Sequence, residues 1–275
     1  MQSLIPFVFA LFSVSYSTTA YPQTLHYISA AETADVQTPL EFTANQKAFD
    51  SYITTVAGSA QLQLDRIDVS GANFNCKTIS DKIQGLKPDP ANDIVIFYYS
   101  GHGESPKQNA FDASGSTFPK LLCGQTSQDD MPSLDQIKGQ LSSTGARLII
   151  VGADTCNDFA GEGAVAEKNR VQFELKDLSK VMLRDYKGSV VISSSNTGEF
   201  SFYKQHSAGY FTTQFIDALS AFSSAAPKDV WADVLQKATS VIDIPRHQQQ
   251  PGESPMQKQQ HPILANQLVY APAPK

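Results

Sequence analysis

The apolar positions of this chain fall into two kinds of run. Leu25 to Ser29, Asp93 to Tyr99, Arg147 to Ala153 and Ser189 to Ser193 are short, nearly continuous, and rich in β-branched and aromatic residues. Runs of that length and composition read as strands covered on both faces. Leu62 to Val69 alternates instead, and predicts a further strand. Elsewhere the spacing is helical. Phe49, Tyr52, Ile53 and Val56 share one face of the stretch Phe42 to Val56. Thr78 to Leu86, Ser133 to Ser142, Phe173 to Tyr186, Tyr210 to Phe222 and Val230 to Ile242 are read the same way. Ser133 stands where an N-cap is needed, and Lys87-Pro88-Asp89-Pro90 stops the second helix. Strands alternating with amphipathic helices predict an α/β domain with a mainly parallel central sheet flanked by helices. A Gln- and Pro-rich stretch near 245–262 reads as a mobile surface loop inside that domain.

The first twenty residues have a different pattern. No Asp, Glu, Lys or Arg precedes Glu32, and the apolar run Leu4 to Val14 is followed by Ser15-Tyr16-Ser17-Thr18-Thr19-Ala20. This reads as a secretory signal peptide over 1–20, cleaved after Ala20, leaving a domain over 21–275 that is secreted or periplasmic. The competing reading is a buried strand or helix, since Met1-Gln2-Ser3 lacks the usual basic residue. The run is short for a membrane span, so the chain is not expected to cross one.

Composition narrows the function classes. Hydrophobic content of 41% is enough for a core, and 27 acidic against 21 basic residues give a formal charge of −6. Without a basic cluster the chain lacks the footprint of a phosphate-backbone binder, so nucleic acid is not an expected partner. Cys76, Cys123 and Cys156 are too far apart for zinc knuckles. In an oxidising compartment Cys76 and Cys123 are free to pair, the alternative being two buried thiols. Pairing needs Cα atoms within about 7 Å, which sequence does not supply.

Functional residues of an open parallel sheet gather beyond the carboxyl ends of its strands. That rule singles out His102, in Ser100-Gly101-His102-Gly103, and Cys156, in Asp154-Thr155-Cys156, 54 residues later. Taken singly, a lone cysteine is most often a small buried hydrophobe and a histidine a turn residue. Delivered together to one sheet edge, they read as a nucleophile and its acid–base partner. The N–H groups of Gly103 and Cys156 are candidate oxyanion donors.

These segments resemble the caspase and metacaspase type of cysteine peptidase, over roughly Leu25 to Tyr270. The likeness rests on the apolar strand before Ser100-Gly101-His102-Gly103 and on Leu148 through Cys156. Val190-Val191-Ile192-Ser193-Ser194-Ser195 and the helix near Gly209-Tyr210-Phe211 extend it. Asp154-Thr155-Cys156 places it on the metacaspase side, and the caspase Gln-Ala-Cys pattern is absent. The resemblance implies a caspase-like sandwich and an endopeptidase with Cys156 as nucleophile, His102 as acid–base, and Gly103 and Cys156 as oxyanion hole. It implies that Asp154 pairs with an Arg or Lys of a peptide or protein substrate, with Ser193, Ser194 and Ser195 lining the cleft. Metacaspases place a second acidic residue after the first strand, where this chain has Glu32 and Asp35. The family continues Cys-His-Ser-Gly, whereas this chain reads Cys156-Asn157-Asp158-Phe159.

No cofactor is required by this chemistry. Asp129-Asp130 is an acidic turn of the sort some metacaspases use for calcium, but it lacks EF-hand spacing and is read as solvated. His206 is read as a surface residue, His247 and His261 give weak support for a metal, and Trp231 is read as a core aromatic. Two rival functions are a catalytically silent module of the same fold that binds a partner, and a thiol hydrolase or transferase acting on small amides.

Overall fold

The computed structural model describes residues 23–106, 116–124, 131–158, 164–166, 179–204, 207–220, 226–244 and 259–272. The leader and its cleavage site, Asp129-Asp130, His206, His247 and the tract 248–258 lie outside the described residues.

In chain order the elements begin with β1 (Thr24–Ala31), α1 (Pro39–Ser59), β2 (Gln63–Ser70), α2 (Cys76–Gly85), β3 (Ile94–Ser100) and the ribbon strands β4 (Gly103–Glu104) and β5 (Lys120–Leu121). They continue through α3 (Leu134–Ser142), β6 (Leu148–Asp154), β7 (Ala164–Ala166), α4 (Ser179–Arg184), β8 (Tyr186–Ser193) and β9 (Phe202–Lys204). Then follow α5 (Tyr210–Ser220), α6 (Val230–Ala238), β10 (Ile242–Asp243), β11 (Gln259–Gln260), β12 (Ile263–Asn266) and β13 (Val269–Tyr270).

The main sheet runs β12-β8-β6-β3-β1-β2, with β13 also paired to β8. Its five longer strands are parallel, and β12 and β13 are antiparallel to β8. Every residue of β3 and β6 is buried, which is why their runs are continuous rather than alternating. One face carries α1, α4, α5 and α6 around Phe49, whose ring stacks on Tyr98 at 4.1 Å and on Phe215 at 5.8 Å. The other face is covered by α2 and α3 through Ile79, Ile83, Leu134, Ile137 and Leu141. Trp231 is in the first of these cores, its indole N–H donating to the Met182 carbonyl at 3.0 Å.

Ser133 caps α3 as its position predicts, in a reciprocal box in which Gln136 N–H donates to the serine and Ser133 N–H to the glutamine side chain. Three boundaries differ from the pattern. The strand β8 begins at Tyr186, a residue whose apolar spacing assigns it to the preceding helix; its ring is buried and pairs with Tyr270 of β13. Helix α6 stops at Ala238, and Ile242 belongs to β10 instead. Gln259 and Gln260, read as loop, form β11 against β10. Among the described residues no helix is long and apolar enough to cross a membrane.

Candidate active site

The ladder between β3 and β6 sets the geometry. Ser100 and Asp154 are partners in that parallel ladder, so His102 and Cys156, each two residues further on, leave the sheet at the same level on neighbouring strands. Gly103 lies directly against the nucleophile loop. A Cβ there would stand 2.6 Å from the Cys156 carbonyl oxygen and collide with the Thr155 hydroxyl. Only a residue without a side chain lets the two loops approach this closely. Among the described residues nothing accepts the Cys156 N–H.

The thiol is closed off. Cys156 is 2% exposed, the Ser201 N–H donates to its sulfur at 3.4 Å, and the thiol faces the Ser201 carbonyl at 3.9 Å. Burial pushes the thiol up to about 12, against some help from the Ser201 N–H. His102 is not a partner of the sulfur. Its Nε2 lies 3.4 Å from Asp35 Oδ1, and its ring meets Phe42 edge to face at 5.1 Å. Glu32 holds the same residue through the backbone, accepting the His102 N–H at 3.1 Å. Tyr99 donates its hydroxyl to the His102 carbonyl at 2.7 Å.

Asp154 is fully buried. Ser201 donates to one oxygen at 2.5 Å, and Thr212 donates both its N–H, at 3.1 Å, and its hydroxyl to the other. Because the one Thr212 hydroxyl proton goes to the carboxylate, Tyr98 donates to Thr212 at 2.5 Å. Burial raises the Asp154 carboxyl, and the hydrogen bonds from Ser201, Thr212 and Asn45 oppose it. Gly209, at the start of α5, packs on Asp154 Oδ2 where a Cβ would come to 2.5 Å, and donates its N–H to Asn45 at 2.6 Å.

Ser194 and Ser195 bond to the nucleophile loop, whereas the Ser193 hydroxyl has no hydrogen-bond partner among the described residues. Ser193, Ser194 and Ser195 are fully buried, and both the Ser194 and Ser195 hydroxyls donate to the Thr155 carbonyl at 2.8 Å. Ser194 also accepts the Thr155 N–H at 2.9 Å. A polar strand end thus anchors the nucleophile loop, whose three-residue excursion needs partners for its own backbone groups. Asn157 continues the anchoring. Its N–H donates to the Glu199 carbonyl and its side chain to the Thr117 carbonyl, both at 2.9 Å.

Several residues of the site carry no sequence signal of their own. Gln260 is fully buried and donates to the Ser194 carbonyl at 2.8 Å and the Ser201 hydroxyl at 3.2 Å, while accepting the Phe202 N–H at 3.1 Å. His261 engages Glu199 through Nδ1, at 2.6 Å, and through its N–H, at 2.9 Å. Together they hold the segment carrying Ser201 over the sulfur. Glu32 and Asp35 gather on His102, while the polar side chain reaching Asp154 from α1 is Asn45.

Cys76 and Cys123 are bridged, their sulfurs 2.05 Å and their Cα atoms 4.9 Å apart, which ties the start of α2 to the segment just after β5. Cys156 is the free thiol. No group of three potential metal ligands occurs among the described residues.

An imidazole and a thiol carried at one level by adjacent parallel strands is the layout of an α/β thiol hydrolase. The Caspase domain family matches residues 48–269, and the chain belongs to that family of caspase-like cysteine peptidases. Among solved structures it is similar to caspase-1 from Spodoptera frugiperda, at 13% identity and a TM-score of 0.51, with 89% of this chain and 86% of the insect chain covered. That likeness concerns the fold. No curated protein matches the chain.

Proposed function

We propose that this protein is an exported cysteine endopeptidase of the metacaspase side of the family, cleaving peptide bonds after Arg or Lys. The observation that carries the reading is the shared level of His102 and Cys156 beyond β3 and β6. In the reaction the Cys156 proton passes to His102 and the sulfur attacks the scissile carbonyl. The oxyanion is met by the N–H of Cys156, with Gly103 alongside. His102 returns its proton to the leaving amine, the C–N bond breaks, and a thioester remains. Water, giving its proton to His102, then hydrolyses the thioester. Thiol, imidazole and water suffice, without a cofactor.

Preference for a basic residue rests on Asp154 alone, since Glu32 and Asp35 are committed to His102. A substrate guanidinium or ammonium reaches Asp154 once Ser201 moves aside, and the same movement uncovers the sulfur. Export is supported by the apolar leader and agrees with the Cys76–Cys123 bridge. The test is hydrolysis of fluorogenic peptides ending in Arg, Lys, Asp or Asn. Cleavage after Arg or Lys that vanishes in Cys156→Ala is expected. Activity surviving that substitution overturns the mechanism, and cleavage only after Asp overturns the role of Asp154.

A second reading, a catalytically silent binding module, is favoured by the 2% exposure of Cys156 and by a thiol turned to Ser201 instead of His102. Failure of a peptidyl-Arg electrophile to label Cys156 in the folded protein would support it.

A further inference from the structure

Asp35 uses its two carboxylate oxygens for different purposes. Oδ2 accepts the N–H of Gln37 at 2.8 Å, the N–H of Thr38 at 2.5 Å and the Thr38 hydroxyl at 3.2 Å. It thereby closes the turn into α1, a helix whose own N-cap residue, Thr38, makes no side-chain cap bond and whose first residue is Pro39. Oδ1 faces the His102 imidazole, 3.4 Å from Nε2. A carboxylate fastened by three donors on one oxygen has its other oxygen fixed in space. Phe42, from the first turn of α1, closes the ring from a second side at 5.1 Å.

From this arrangement we propose that Asp35 is a positioning residue for His102. It accepts the Nε2–H, which sets the tautomer with Nδ1 unprotonated and leaves Nδ1 as the nitrogen that exchanges protons with the thiol, the leaving amine and water. The distance of 3.4 Å is in ion-pair range, and such contacts in free enzymes shorten when substrate binds. Asp35 keeps its charge throughout. When Nδ1 takes the Cys156 proton the ring becomes an imidazolium facing an anion, and when Nδ1 gives that proton up the neutral Nε2–H tautomer is restored. Burial alone would raise the Asp35 carboxyl, but the N–H groups of Thr38 and Gln37 and the nearby imidazole outweigh it and hold the group below its usual range.

The catalytic part of this inference rests on the peptidase reading; the tautomer does not. The direct measurement is the ¹⁵N spectrum of the His102 ring in the folded wild-type protein at a pH where the ring is neutral. The expected state has Nε2 protonated and Nδ1 bare; an Nδ1–H tautomer overturns the proposal. Asp35→Asn keeps an oxygen for the turn into α1 while offering the ring an N–H, and is expected to invert the tautomer. With peptide substrate it should lower kcat by about 100-fold or more at nearly constant KM, and Asp35→Glu should recover part of that loss. An Asp35→Asn protein with wild-type ring shifts, or with wild-type kcat, contradicts the proposal. If wild-type protein hydrolyses no peptide, the peptidase reading fails while the ring spectrum still decides the role of Asp35.

Discussion

The sulfur of Cys156 is met by the backbone of Ser201, whose N–H points at it from 3.4 Å. Ser201 also gives its hydroxyl to Asp154, so one residue covers both the nucleophile and the carboxylate expected to read substrate. Ser201 therefore links the two groups through a single residue.

The first consequence concerns reactivity against pH. A raised thiol pKa means that the protonated form persists across the neutral range and the thiolate appears only as pH rises. At about 12 the thiolate fraction at pH 8 is about one in ten thousand. Alkylation of Cys156 by iodoacetamide should accelerate about tenfold per pH unit from pH 7 to pH 10, without levelling. A plateau near pH 8.5, that of an ordinary cysteine, would contradict the closed geometry.

Gln260 holds the cover in place through its bonds to Ser194, Ser201 and Phe202. Net contributions of about 1 kcal/mol per hydrogen bond imply that Gln260→Ala lowers the cost of opening by about 1–3 kcal/mol. The alkylation rate at fixed pH should then rise by about 5- to 150-fold. An unchanged rate, with the variant folded by circular dichroism, would show that the cover is held elsewhere.

Gly103→Ala should separate folding from chemistry. The added methyl meets the Thr155 hydroxyl and the Cys156 carbonyl, and so displaces the nucleophile loop, not the sheet. A misplacement of about 1 Å costs about 100-fold in rate, so kcat/KM should fall by at least that much while the thermal midpoint moves little. Retained activity would mean that the two loops are not in mutual contact during turnover.

The Cys76–Cys123 bridge closes a loop with a sequence separation of 47 residues. In the chain-entropy treatment a loop of that size stabilises by about 4 kcal/mol. The double variant Cys76→Ser, Cys123→Ser should lower the unfolding free energy by an amount of that order in urea titrations. A loss below about 1 kcal/mol would show that the folded protein carries two thiols instead.

The central strands could be read directly because they are buried on both faces, where nothing but continuous apolar sequence is tolerated. The positions of His102 and Cys156 followed from that reading, since both lie just past such runs. The sheet edge was less legible. Residues of β12 are half-buried or exposed, so Ile263 to Asn266 has no periodicity to betray it. Gln260 sits in a Gln-rich tract where composition argues for loop, and only its contacts distinguish it from its neighbours. The acidic pair after β1 was visible, but not its target. Which side of the sheet edge Glu32 and Asp35 turn toward is decided by the turn into α1, and no spacing rule encodes that.

The residues that seal Cys156 come from widely separated stretches of sequence, and Gln260 follows every parallel strand of the sheet. Its bonds to Ser194 and Ser201 span 66 and 59 residues. The β1–β3 ladder spans 69 residues, from Leu25 to Ile94, so the seal and the sheet meet comparable loop-closure costs. Until β11 docks, Cys156 lacks the cover that Gln260 braces, and in an oxidising compartment an uncovered third thiol is open to mispairing with Cys76 or Cys123.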